Sequence, residues 1–122
     1  MGSREYKLST VIFDTLLVRI KLMSDQKKKT RELFRNTVFT RDNYRCVFCG
    51  AVNALDAHHI TDRNEMPNGG YVKGNGITLC PLHHELAESW HRMGTLYSRG
   101  FSPNELYEKI NSSYEIAVKE SE

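Results

Sequence analysis

Leu16, Val18, Ile20 and Leu22 alternate with Leu17, Arg19, Lys21 and Met23, and this period of two predicts a strand within Leu8–Met23. A helix through Ile12, Leu16, Ile20 and Met23 fits the same residues, but their β-branched content decides for strand. Residues 1–24 are therefore expected to be a strand-forming N-terminal extension, with a loose polar start. Ser24 and Asp25 can cap a basic helix over 25–45 that runs to about Asp42, with Leu33, Phe34, Val38 and Phe39 as its apolar stripe. Lys27, Lys28, Arg31 and Arg35 fall mostly off that stripe.

Beyond Asp42-Asn43 the pattern shortens. Leu55–Ile60 and Gly76–Leu79 read as two strands, separated by a polar loop with Pro and Gly over Thr61–Gly74. Pro81 suits the first turn of a helix, where its missing N–H costs little, and that helix is expected to continue to about Tyr97. Ser102-Pro-Asn-Glu105 is a capping-box pattern, and it opens a last helix over 102–118 with Leu106, Ile110 and Tyr114 inward. The expected fold class is α+β: a two-strand-and-helix core over 46–98, an N-terminal strand/helix segment and a C-terminal helix, all in one domain.

Composition adds little until its distribution is considered. The net charge is +2, yet residues 1–45 hold eleven Lys/Arg against five Asp/Glu, while 46–122 hold six against ten. A basic end before an acidic remainder suits docking on a phosphate backbone; a solvated helix face explains Lys27-Lys28-Lys29 equally well. No signal-peptide pattern opens the chain. Val11–Met23 is too short and too interrupted by Asp14, Arg19 and Lys21 to cross a bilayer. Three cysteines are an odd number and argue for metal ligation in a reducing compartment rather than a disulfide framework, so the expected location is intracellular and cytoplasmic.

Cys46-Val-Phe-Cys49 and Cys80-Pro-Leu-His83 have the spacing of a structural zinc site with four N/S ligands. Cys80 to His84 is an equally legal spacing, so spacing does not choose between the two histidines. Their adjacency does constrain them, because successive helical residues point about 100° apart, from ~3.6 residues per turn. One can face the zinc while the other faces a different site. His58 and His59 are neighbours on a strand and point to opposite sides, so they too should do different jobs, one as ligand and one as proton acceptor.

The ordered set Arg41-Asp42, Cys46–Gly50, Asp56–Ile60, Gly69–Tyr71 and Asn75–His84 resembles the HNH endonuclease family, in its zinc-stabilised branch. The resemblance spans about Phe34–Glu88 and implies a ββα-metal core with a zinc knuckle. It matches His58 to a metal ligand, His59 to the general base, Asn75 to the middle Asn that holds the loop and orients the base, and His84 to the last metal ligand. Cys46, Cys49, Cys80 and His83 become the structural zinc set, with His83 standing where the family usually has a fourth cysteine. The implied reaction is phosphodiester hydrolysis in DNA, with RNA left open, giving 5′-phosphate and 3′-hydroxyl ends. The implied cofactors are Zn²⁺ for structure and Mg²⁺ for catalysis; Mn²⁺ or Ni²⁺ suit imidazole ligands as well.

Glu88, one turn after His84, can reach the same ion, although an exposed helix glutamate is the simpler reading. Arg41, Arg45, Arg63 and Lys73 are candidate backbone-phosphate contacts, and each alone is more often an ordinary surface charge. The oligomeric state stays open between monomer and homodimer. The rival function is a catalytically inactive zinc-stabilised nucleic-acid-binding module, against which His59 and Asn75 argue because zinc folding needs neither.

Overall fold

The computed structural model describes residues 2–122, with side chains described from Phe13 onward. Its first element is α1 (Gly2–Arg41), a helix of 40 residues. The strand expected within Leu8–Met23 is thus a helix. Between Gly2 and Gly50 the sequence has neither Gly nor Pro, so nothing interrupts the strong helix formers on either side of the β-branched run. A strand there would also need a partner, and the one sheet among the described residues has two other strands. The chain divides into two compact units, Met1–Glu32 and Leu33–Glu122.

In the second unit, α1 ends at Arg41 and the chain reverses through left-handed Asn43 and Tyr44. Asp42 anchors this reversal. Its carboxylate accepts from Arg41 at 2.7 and 2.8 Å and from the Thr78 amide at 3.0 Å. Next comes the cysteine knuckle, closed by Cys46 N–H to Ala51 O and Gly50 N–H to Cys46 O, with Gly50 at φ 76° where a side chain would be strained.

Strands β1 (Asp56–His59) and β2 (Gly76–Leu79) pair antiparallel, with His58 opposite Ile77 and His59 opposite Gly76. The loop between them is three short 3-10 turns, over Arg63–Glu65, Pro67–Gly70 and Lys73–Asn75. Helix α2 (Pro81–Met93) follows and stops at Gly94, φ 77°, about a turn earlier than the sequence suggested. The C-terminal helix is two: α3 (Pro103–Lys109) and α4 (Tyr114–Ser121). Left-handed Asn111 separates them, and Ser113 caps α4 through the Ile116 amide. Ser102 caps α3 by accepting from the Glu105 amide, as its capping pattern predicts.

The core of this unit is Ile60, Ile77, Leu79, Ala87, Leu106, Tyr107 and Ala117, all at most 2% exposed. It lies between the hairpin, α2 and the two C-terminal helices, and α4 packs on the loop turns. No helix among the described residues is long and apolar enough to cross a membrane.

Candidate metal and catalytic site

The knuckle and the start of α2 bring Cys46, Cys49, Cys80 and His83 together. Cys49 Sγ lies 3.7 Å from Cys80 Sγ, and His83 Nδ1 lies 3.1 Å from Cys80 Sγ and 3.5 Å from Cys46 Sγ. A disulfide needs about 2.05 Å, so these are free thiols. The edge of a tetrahedron is ~1.6 times its centre-to-corner length, so zinc–sulfur bonds of about 2.3 Å predict ligand separations of about 3.7 Å. The Cys49–Cys80 separation matches that figure, the sulfur–nitrogen separations to His83 are shorter, and the four donors together can hold zinc. Burial alone would raise the Cys46 thiol, but the amides of Cys80, Cys49 and Phe48 outweigh it and favour the thiolate a metal requires. Phe48 stacks on the His83 ring, 5.2 Å between centroids, and fixes its plane.

A second donor set forms where β1 meets α2: His58, His84 and Glu88. Glu88 Oε1 is 3.2 Å from His58 Nδ1 and 3.3 Å from His84 Nε2. Strand pairing fixes His58, while helical spacing of four puts His84 and Glu88 on one face. Asp56 Oδ2 lies 3.4 Å from His84 Nδ1, so the ring is held from its other nitrogen, as a metal-ligating histidine usually is. Separations near 3 Å are those of donors sharing one ion at about 2.1 Å. Two nitrogens and a carboxylate oxygen suit a divalent cation with coordination positions left over.

His59, next along β1, faces other neighbours. Phe34 stacks on its ring at 4.4 Å and 25°, and Tyr71 meets it edge-on at 4.9 Å and 89°. His58 Nε2 and His59 Nε2 are both buried without a hydrogen-bond partner. Orphaned buried polar atoms are uncommon and mark places where a ligand, water or reaction belongs. Burial lowers the His59 pKa to about 4, helped by the Arg63 guanidinium and opposed by Asp62. Burial also lowers His58 to about 3, with the neighbouring His84, His91 and His59 adding to it. Both rings are therefore neutral near pH 7, the state that can ligate a metal or accept a proton. All of these histidines except His83 line one open cavity of about 390 Å³, together with Asp56, Asp62, Arg63 and Glu88.

Asn75 is fully buried and does not reach His59 directly. Its Oδ1 accepts from the Thr61 amide and the Tyr107 hydroxyl, each at 2.9 Å, and its Nδ2 donates to the carbonyls of Thr61 and Gly70. It thus ties the loop's two ends together. The four candidate phosphate contacts separate in space. Arg63 reaches the cavity and donates to the Tyr71 hydroxyl at 3.1 Å. Arg41 spends its guanidinium on Asp42 and on the carbonyls of Gly76 and Lys73, and with Lys73 it lines a second groove along α1. Arg45 is exposed in the knuckle's approach.

Sequence reading missed the two rings around His59: Phe34 reads as an ordinary member of an apolar stripe. His91 comes to 6.0 Å from His58, ring to ring, and lines the cavity. Its spacing of seven from His84 puts it on a similar face of α2, either as a surface residue or as a neighbour of the ligands, and the structure gives the latter.

No curated protein and no solved structure matches the chain. Residues 46–89, the stretch that contains both donor clusters, His59 and Asn75, match the family model of the HNH endonucleases.

Proposed function

We propose that the protein is a metal-dependent HNH endonuclease that hydrolyses phosphodiester bonds in DNA. The observation that carries this reading is the convergence of His58, His84 and Glu88 on one point in the same cavity as a neutral His59. A structural zinc cluster explains none of these residues. In this reading His58, His84 and Glu88 hold a divalent cation, Mg²⁺ in the cell, with Mn²⁺ or Ni²⁺ able to replace it given the two imidazoles. When bound, such an ion supplies Lewis-acid charge to the scissile phosphate and the leaving oxygen.

His59 takes the proton from the attacking water. Phe34 and Tyr71 hold its ring, and burial keeps it unprotonated. The same burial makes His59 a weaker base than a free imidazole, so its contribution is correct placement more than basicity. Arg63 lines the cavity, bonded to the Tyr71 hydroxyl and attracted by the Asp62 carboxylate, and in this reading its guanidinium contacts a phosphate oxygen of the backbone beside the cleavage point. Cys46, Cys49, Cys80 and His83 bind Zn²⁺, which joins the knuckle to α2 and so fixes the helix that carries His84 and Glu88. Reduced cysteines poised as ligands suit the cytoplasm.

The test is nicking of supercoiled plasmid with added Mg²⁺ or Mn²⁺, comparing the wild type with His59→Ala. Nicking by the wild type and a loss of about a hundredfold or more in the variant is the expected result, the usual contribution of a general base. DNA binding by both proteins with nicking by neither would instead make the protein a zinc-stabilised nucleic-acid-binding module.

A further inference from the structure

We infer that Tyr107, on helix α3 and outside the segment matched to the family, is a positioning residue: through Asn75 it fixes the strand end that carries His58 and His59. Its consequence for cleavage rests on the nuclease reading above; its geometry does not.

Tyr107, Asn75 and Thr61 form one buried polar group, 2%, 0% and 7% exposed. The Tyr107 hydroxyl donates to Asn75 Oδ1 at 2.9 Å. Its hydrogen is then committed, so the contact of 2.7 Å between the Thr61 and Tyr107 hydroxyls has Thr61 as donor. Asn75 Oδ1 also accepts from the Thr61 amide, and the Asn75 carbonyl accepts from Ile60 N–H at 2.9 Å. With both Nδ2 hydrogens donated to Thr61 and Gly70, the carboxamide is saturated. Ile60 and Thr61 are the two residues that follow His59. Their amides, and with them the direction of the chain leaving β1, are held by Asn75, and Asn75 is held by Tyr107.

A phenylalanine would fill the same apolar space beside Leu106 and Ile60 without burying a hydroxyl, which is unfavourable unless it is paired. The hydroxyl is therefore explained by the network. Its effect falls on His59, whose Nε2 has no hydrogen bond to aim it and whose ring is located by its backbone and by the Phe34 and Tyr71 rings.

The test uses the full zinc-loaded chain and the variants Tyr107→Phe, Thr61→Val and, as the conservative control, Thr61→Ser. Amide hydrogen exchange at Ile60 and Thr61 should accelerate about tenfold in Tyr107→Phe and Thr61→Val, the effect of one hydrogen bond of ordinary net strength. Amides of β2 and α2 should keep their rates, and Thr61→Ser should behave as wild type. Single-turnover plasmid nicking should slow by about tenfold with the DNA Kd unchanged, a loss confined to the reacting state. Tyr107→Phe should add nothing to Asn75→Ala, because one acts through the other; if Asn75→Ala does not fold, Thr61→Val replaces it in the cycle.

Exchange that accelerates evenly across the unit, or stays unchanged at 60 and 61, overturns the positioning role, as do additive losses in the cycle. A wild type that nicks no DNA with any metal sinks the nuclease reading alone, since the exchange rates still decide the role of Tyr107.

Discussion

His83 and His84 are neighbours in sequence and serve different clusters: His83 Nδ1 sits 3.1 Å from Cys80 Sγ, while His84 Nε2 sits 3.3 Å from Glu88 Oε1. The start of one helix thereby joins a closed donor set to an open one. The ~100° between successive helical residues makes this division unavoidable for two adjacent side chains. It also makes the two positions separable by experiment.

Replacing His83 by Ala should remove a zinc ligand and leave three thiols without their fourth partner. Zinc content by elemental analysis should fall well below one per chain, and the thermal transition should broaden or drop by more than 10 °C, because zinc binding on the order of 10 kcal/mol is part of the folding free energy. His84→Ala should keep the zinc and the transition, and lose nicking. Equal zinc loss in both variants would show that the clusters are not distinct.

The adjacency argument was legible in the sequence, and so were the hairpin, its two strands and the helix opened by Pro81. Those features follow from local rules: period, caps and ligand spacing. What was not legible depended on contacts far apart in the chain. Phe34 and His59 are 25 positions apart, and nothing in an apolar stripe says which residue it will stack on. Leu8–Met23 was misread for a different reason. β-branched residues favour strand only where a pleated neighbour exists to pack against, and here the uninterrupted helix formers of α1 prevail. Asn75 shows an intermediate case: its importance was visible, but its partners Thr61 and Tyr107 were not.

Glu88 should matter to metal affinity more than an exposed helix glutamate would. Its Oε1 is within 3.3 Å of both imidazoles. Glu88→Gln keeps the shape and removes the charge, so the Mg²⁺ concentration for half-maximal nicking should rise by about tenfold or more, with partial recovery in Mn²⁺, which tolerates nitrogen-rich sites better. Isothermal titration of Mn²⁺ into the zinc-loaded protein measures the same change without catalysis. An unchanged titration would return Glu88 to the role of a surface side chain.

Phe34→Leu should separate stacking from packing. Phe34 is 5% exposed, and its ring lies flat on His59. Leucine keeps most of the buried apolar volume, so the stability loss should stay below about 1.5 kcal/mol by denaturant titration. The His59 ring loses its flat support, and single-turnover nicking should fall by about tenfold while Mn²⁺ binding at His58, His84 and Glu88 stays as it was. A rate loss no larger than the stability loss explains would leave Phe34 as plain core.

Gly76 sets how closely α1 approaches the hairpin. It is the register partner of His59, and a Cβ built on it would meet Phe34 Cζ at 2.7 Å and overlap the Val38 side chain as well. Val38 is fully buried, and Phe34 is itself buried and stacked on His59, so neither can move aside freely. Gly76→Ala should therefore destabilise the unit by about 1–3 kcal/mol, the usual range for overpacking a tight core. It should also displace the Phe34 ring that stacks on His59, so nicking should decline along with stability. The double variant Gly76→Ala/Phe34→Leu supplies the check. If the close approach is the reason for glycine, the smaller side chain at 34 relieves part of the clash, and the double variant should be more stable than the sum of the two single losses. Strict additivity in denaturant titrations would mean that the glycine is needed for its own backbone and not for the helix packed above it.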